Sequence, residues 1–338
     1  MRRYVLGRIL LMVGTLIGVL TITFILTRIL PGSPVEMMLG RIPSQDQIDA
    51  VKESLGLNLP LYKQYIRFLG EIAQGELGTS FLTRQPVIED IGRRFMATIE
   101  LTSASMIVIL ILGIPIGIIS AVWMNSALDH FVRTVSVAGV ALPSFMLGML
   151  LQMLFYGELH VLPLQGRLSS TTLIDHGFSN ITGLYLVDTL LNWNLYAFKD
   201  AAAHLVLPAL TLSLVNLPIV ARTTRNLMVE VLNEDYIQTA RAYGLPNQQI
   251  WFRFALKATL IPLLTVIGLT YGYILGGAIV AEYVFDWPGI GSYVVHAITQ
   301  SDYPAAIGVT IFLATVYLSI NLIIDLLYFL VDPRLRNT

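Results

Sequence analysis

The sequence predicts an all-α membrane protein with six transmembrane helices, and three observations predict it. Hydrophobic residues make up 55% of the 338-residue chain, charged ones only 13%, and the mean hydropathy is +0.70. That balance belongs to multi-span membrane proteins. Six segments are long and apolar enough to cross roughly 30 Å of hydrocarbon. They are Ile9–Leu30, Leu101–Trp123, Thr134–Tyr156, Ala203–Ala221, Ala258–Val284 and Pro304–Val331. A buried helix of a soluble protein would keep a polar face, and these segments have almost none. Finally, Lys and Arg crowd the short connections on one side: Arg2, Arg3 and Arg8, then Arg133, then Arg222, Arg225, Arg241, Arg253 and Lys257, then Arg334 and Arg336. The basic residues of the other side are spread over longer segments and mixed with acids, which weigh little in setting topology. Both termini are therefore expected in the cytoplasm.

Taken in order, residues 1–30 form the first transmembrane helix. Its apolar stretch is too long for a signal peptide, and Pro31-Gly-Ser-Pro34 offers no small-residue cleavage site. Arg28 near its outer end can snorkel to the headgroups. Residues 31–98 read as a small extracytoplasmic helical segment. Ser44-Gln-Asp-Gln47 starts a helix as a capping box, and Gly56 stops it. Leu59-Pro60 opens a second helix with Leu61, Tyr65, Phe68, Leu69 and Ile72 along one face. Gly75 to Ser80 then makes a loop.

Residues 99–331 form the five-helix core, and 332–338 a cytoplasmic tail. Gly113, Pro115 and Gly117 in the second span and Pro143 in the third mark bends, tolerated where neighbours satisfy the freed backbone groups. Residues 157–202 are a long external loop in which His160 and His176 are isolated surface residues. A polar, basic bracket at 222–257 separates the fourth and fifth spans. There Asn233 can cap a helix with Glu234 and Asp235 in its opening turn, where the dipole favours negative charge. Gly244 stops that helix, and Pro246 suits the first turn of the next. A plain connector would need none of this, so the bracket reads as something for another protein to grip.

Gly268, Gly272 and Gly276 repeat at a four-residue period in the fifth span and share one helix face. Such a face lets another helix approach closely; alternatively it leaves a groove for substrate. Phe285-Asp-Trp-Pro-Gly-Ile-Gly291 forces a tight turn, after which Ser292 can cap a short amphipathic helix through Thr299. Trp287 there is either an interfacial anchor or part of a gate. Asp325 is a carboxylate within the last apolar run. It is expected to pair with Arg222 or Arg225 at the same level, because an isolated charge at membrane depth is costly.

No catalytic constellation is present. The lysines, Lys52, Lys63, Lys199 and Lys257, all lack the Gly-Lys-Ser/Thr setting of a phosphate loop, so the chain is not itself an ATPase. The absence of cysteine excludes disulfides and thiolate metal ligation, and nothing suggests a metal site or nucleic-acid binding.

The bracket carries the most specific resemblance. Glu234-Asp-Tyr-Ile-Gln-Thr-Ala-Arg-Ala-Tyr-Gly-Leu245 resembles the cytoplasmic coupling (EAA) loop of permease subunits in ABC importers, in the form written by the dipeptide/oligopeptide/nickel branch. It departs at its far end, where Lys257 holds the usual proline position and Pro262 follows five residues later. Gly75-Glu-Leu-Gly-Thr-Ser80, the Trp-Pro-Gly loop and the ending from Asn321 to Arg336 are similar to elements of the same branch.

The resemblance implies a type I ABC importer permease fold in the bacterial inner membrane. Asp235, Tyr236, Thr239, Ala240, Arg241, Ala242 and Gly244 would couple to the ATPase. Gly268, Gly272 and Gly276 would line a pathway or pack helices, and Trp287, Pro288, Gly289 and Gly291 would form an external gate or docking loop. It also implies a second homologous permease, two cytoplasmic ATPase subunits that use ATP and Mg²⁺, an external substrate-binding protein, and surrounding membrane lipid. This chain would bind no cofactor itself. Ile181-Thr-Gly-Leu-Tyr-Leu-Val-Asp188 resembles a loop of peptide-transporting members and favours short peptides over a nickel chelate. A secondary transporter is the rival of another class, and it would need more intramembrane coupling residues than Asp325. A membrane assembly factor would need neither pathway glycines nor docking loops.

Overall fold

The computed structural model describes residues 2–29 and 58–331. The expected helix from Ser44 to Gly56, the Pro31–Pro34 turn and the tail 332–338 lie outside the described residues. Within them the regular secondary structure is helical, apart from a lone β-bridge between Thr79 and Pro86. The helices are α1 (Arg2–Ile29), α2 (Leu61–Ala73), α3 (Val87–Val122), α4 (Ala127–Ala141), α5 (Ser144–Gln152), α6 (Ser170–Asp175), α7 (Tyr185–Leu191), α8 (Leu195–Leu232), α9 (Asp235–Ala242), α10 (Asn247–Val284), α11 (Ile290–Thr299) and α12 (Tyr303–Val331).

Five of these, α1, α3, α8, α10 and α12, are continuous helices long and apolar enough to span a membrane. The third expected span differs. It is interrupted at Leu142-Pro143, with α4 ending in an extended Leu142 and α5 restarting after Pro143 and passing into a π-helical turn over Met153–Glu158. The physical reason is local: proline disfavours α geometry in the residue before it and offers no N–H to continue the ladder. The fourth span, expected as the shortest at Ala203–Ala221, lies in the 38-residue α8, which carries Pro208 and Pro218 within it. Hydropathy marks where the apolar residues end, whereas helical hydrogen bonding continues into the polar residues beyond.

The chain divides into two compact units. The first comprises Met1–Phe95 and Ile290–Leu322, so it draws in α11 and most of α12. In this unit the ring of Phe24 on α1 meets Tyr65 and Phe68 of α2, and Thr21 hydrogen-bonds the Tyr65 hydroxyl at 2.6 Å. Of the expected apolar face of α2, Leu61 is exposed. The start of α3 is fixed to α12 by Phe95 standing edge-on to Phe312.

The second unit, Met96–Gly289 with Ile323–Thr338, is built on α3, α8 and α10. Ala97, Leu101, Met106 and Ile109 of α3 pack with Leu205, Ala209, Leu212 and Val220 of α8 and Leu263, Ile274, Ala278 and Ala281 of α10. Small residues recur at these contacts, which lets helix backbones approach where no hydrophobic force separates protein from lipid. The loop 157–202 is tied to this unit by a buried ion pair between Arg167 and Glu100. The Arg167 guanidinium also stacks 3.6 Å from the Tyr185 ring centroid. His160 and His176 are exposed.

Candidate functional site

The bracket is a helical elbow between two spanning helices. α8 runs without a break to Leu232, and Asn233 closes it, its side-chain amide donating to the Val229 carbonyl at 2.9 Å. Asn233 is therefore a C-terminal residue, and Glu234 holds the N-cap position of α9 that had been expected for Asn233. Asp235 sits in the first turn, where its charge suits the helix dipole. At the other end Tyr243 closes α9 and Gly244 adopts φ +76°. Leu245 N–H reaches back to the Ala240 carbonyl at 3.2 Å, and Gly244 N–H to that of Arg241 at 2.9 Å. This is the Schellman pairing that a left-handed residue completes.

Pro246 occupies the position preceding the next helix rather than its first turn. The second arm of the bracket is not a separate helix: Asn247 begins α10, which continues through a π-helical turn at Ile250–Ala255 into the span. Its inner side is anchored. Ile237 and Ile250 are fully buried with Met228 and Leu232 of α8 and Ile118 and Ala121 of α3, and Leu245, Trp251 and Phe254 cover them. Ala240 is buried as well.

What remains is an outward face that mixes aromatic and basic side chains. Tyr236, Tyr243 and Phe252 are exposed, Tyr243 at 84%, together with Asp235, Thr239, Arg241, Ala242, Arg253 and Lys257. The Tyr236 hydroxyl is pushed up from its ordinary pKa, chiefly by partial burial and then by Glu234, so it is a neutral hydrogen-bonding group at physiological pH.

The Trp-Pro-Gly loop is built differently from its expectation. Trp287 is only 1% exposed, and its indole N–H donates to the Ala97 carbonyl at 2.8 Å. It is a core residue of the second unit, not an interfacial anchor. Pro288 is exposed, whereas Gly289 and Gly291 are buried. The need for glycine at 289 comes from Glu282, because a Cβ there would land on the Glu282 carboxylate. Glu282 is itself 0% exposed and accepts a hydrogen bond from Thr98 at 2.6 Å. Sequence reasoning passed over this acid because it sits at the edge of an apolar run. The short helix α11 starts at Ile290, which puts Ser292 inside its first turn rather than at its cap.

The glycine face of α10 is not uniform. A Cβ on Gly268 would collide with Ile324, Gly272 is buried, and Gly276 faces open space. Asp325 lies half-buried in α12 and is not without a partner. Arg225 is taken by Asp129, and Arg222 makes no ion pair among the described residues. Nothing in the sequence linked Asp129 to Arg225 across a separation of 96 residues.

A second unforeseen link joins two motifs within the first unit. Ser80, last residue of the Gly75–Ser80 loop, donates its hydroxyl to Asp302 at 2.5 Å, and the Leu82 N–H adds a bond at 3.2 Å. Asp302 in turn caps the start of α12 through Ala305 N–H. Beside them Tyr293 donates to Asp90 at 3.0 Å. Its hydroxyl is pushed up to about 12, first by burial.

Comparison with known proteins accounts for these elements together. Residues 113–337 match the model of the binding-protein-dependent transport system inner membrane component, and residues 1–102 match that of its N-terminal region. The chain belongs to this permease family. It is similar to the probable D,D-dipeptide transport system permease protein of Escherichia coli K12, at 45% identity over 94% of this chain and 93% of that one. It is 42% identical to the di/tripeptide transport system permease protein of Pseudomonas aeruginosa UCBPP-PA14, over 100% of this chain and 99% of the relative. The dipeptide transport system permease protein of Escherichia coli K12 is 38% identical over the same spans. The permease is thus a multi-pass inner-membrane component of a binding-protein-dependent transport system.

Proposed function

We propose that this permease forms half of the translocation pathway for short peptides in an ATP-driven importer. The bracket carries the proposal. Both its arms are rooted in spanning helices, its inner side is packed against α3 and α8, and its outer side presents exposed aromatic and basic residues. A push on such an elbow is delivered to α8 and α10 with little loss, because packed helices move as rigid elements.

In this reading the interrupted α4–α5 segment makes a sixth crossing, and both termini and the bracket face the cytoplasm, in keeping with the clustered arginines. Two ATPase subunits that use ATP and Mg²⁺ grip the bracket of this chain and that of a second, homologous permease. An external substrate-binding protein delivers cargo to the opposite side, near the Trp287–Gly291 loop. The reaction is alternating access: closure of the ATPases draws the brackets together and opens the pathway outward. The permease performs no bond chemistry.

The names of the relatives support a peptide cargo, since all three quoted above refer to di- or tripeptides. The test is competition in cells carrying the intact transport system. Unlabelled di- and tripeptides are expected to suppress uptake of a labelled dipeptide. Failure of peptides to compete, with uptake abolished by nickel chelators instead, overturns the peptide reading and assigns a metal-chelate cargo.

A further inference from the structure

A cavity of about 170 Å³ opens between α4 and α8, lined by Val132, Arg133, Ser136, Arg222, Arg225 and Asn226. Three arginines line one space, and among the described residues Asp129 is the carboxylate that pairs with them. Asp129 is spent on Arg225, at 2.6 and 2.8 Å, and lies 3.6 Å from Arg133. Arg222 makes no ion pair among the described residues. The cavity therefore keeps an excess of positive charge over an apolar lining, which suits an anionic phosphate carried on an apolar molecule.

Its position selects the kind of phosphate. Arg222 follows directly on the apolar stretch Ala203–Ala221 of α8, so the cavity lies where hydrocarbon gives way to headgroups. The neighbouring surface of α4 is apolar and open, with Phe131 68% exposed and Val135 also uncovered. A soluble anion would use the arginines and leave that surface bare, whereas a phospholipid covers both with one molecule. We infer that this cavity is a binding site for the phosphate headgroup of an anionic phospholipid, whose acyl chains run along α4. Basic pockets between membrane helices hold such headgroups by the same balance of charge and apolar contact. The binding is independent of the orientation proposed above, which decides only the leaflet concerned.

The experiment titrates the assembled, delipidated transporter with phosphatidylglycerol and, separately, phosphatidylcholine, counting bound lipids by native mass spectrometry. Phosphatidylglycerol is expected to bind in preference. Arg222→Gln and Arg133→Gln should each weaken it about fivefold, Arg222→Lys should retain it, and Lys199→Gln at the opposite end of α8 should leave it unchanged. Assembly with the partner subunits is followed in each variant, so that misfolding is seen separately. Equal binding of the two lipids overturns the inference, as does phosphatidylglycerol binding that survives Arg133→Gln combined with Arg222→Gln. Occupancy by inorganic phosphate that excludes the lipid without needing acyl chains would assign the pocket to a soluble anion and overturn the lipid assignment.

Discussion

Arg225 and Asp129 form a two-point ion pair, Nε to Oδ1 at 2.6 Å and Nη2 to Oδ2 at 2.8 Å, that clamps the base of α8 to the start of α4. Ser120 donates to the same carboxylate at 2.6 Å and the Asn125 N–H at 3.0 Å, so no side of this fully buried acid is left unmatched. The clamp lies ten residues before the bracket's first helix begins at Asp235, on the helix that delivers it.

Removing the cation should therefore be expensive. Arg225→Gln strands a buried carboxylate, at a cost of about 3–5 kcal/mol, and the thermal midpoint of the purified permease complex should fall accordingly. The pH dependence has a definite sign. The Arg225 hydrogen bond first, then those of Ser120 and Asn125, hold the Asp129 carboxyl well below its usual pKa against the opposing effect of burial. Its stabilisation is thus full above the unfolded value of about 3.9 and is lost as pH falls below it. The acid-side loss of stability should shrink in Asp129→Asn. An unchanged profile in that variant would remove Asp129 from the balance.

Valine at position 244 should uncouple the transporter without preventing insertion. Gly244 has open space around it, so the obstacle is its φ of +76° alone. A β-branched residue there costs about 1–2 kcal/mol or more of local strain. In Gly244→Val, substrate-stimulated ATP hydrolysis should drop while the amount of permease in the membrane is maintained. Normal stimulation would refute the role of the elbow.

Arg241 is exposed on the outward face of the bracket and can be inverted without disturbing the core beneath it. Arg241→Glu should weaken retention of the ATPase subunits in a salt-dependent way, as a surface charge contact does. Lys63→Glu, on α2 of the first unit, should leave retention unchanged. Equal retention in both variants would place Arg241 outside the contact.

Alanine at position 289 should behave as an overpacked core. Its methyl group would meet the Glu282 carboxylate, and forcing it in should cost about 1–3 kcal/mol. Pro288→Ala, one residue earlier and exposed, should be nearly neutral. Equal thermal midpoints for the two variants would show that the loop relaxes around Glu282.

The glycine face of α10 should split into two behaviours. Gly268→Ala drives a methyl group into Ile324 and should lower stability, whereas Gly276→Ala enters open space and should not. If Gly276 lines the pathway, Gly276→Leu will assemble normally yet transport bulky peptides poorly. Loss of the complex in Gly276→Leu would instead mark a packing surface against another subunit.

The sequence by itself determined the helical membrane class, because long apolar runs without a polar face have few other stable homes. It also determined the place and backbone of the bracket, since Gly244 and the acidic first turn of α9 act within a few residues of one another. Even the break at Pro143 was legible as a bend, proline being a local constraint. Tertiary structure decided the partners. Asp129 rather than Asp325 meets Arg225, Asp302 meets Ser80 across 222 positions, and Glu282 sets the glycine at 289. Hydropathy could not show these pairings, because which buried charges meet depends on how the helices and loops within each unit come together. A carboxylate and its partner are each readable as costly in isolation; only packing determines which two share the cost.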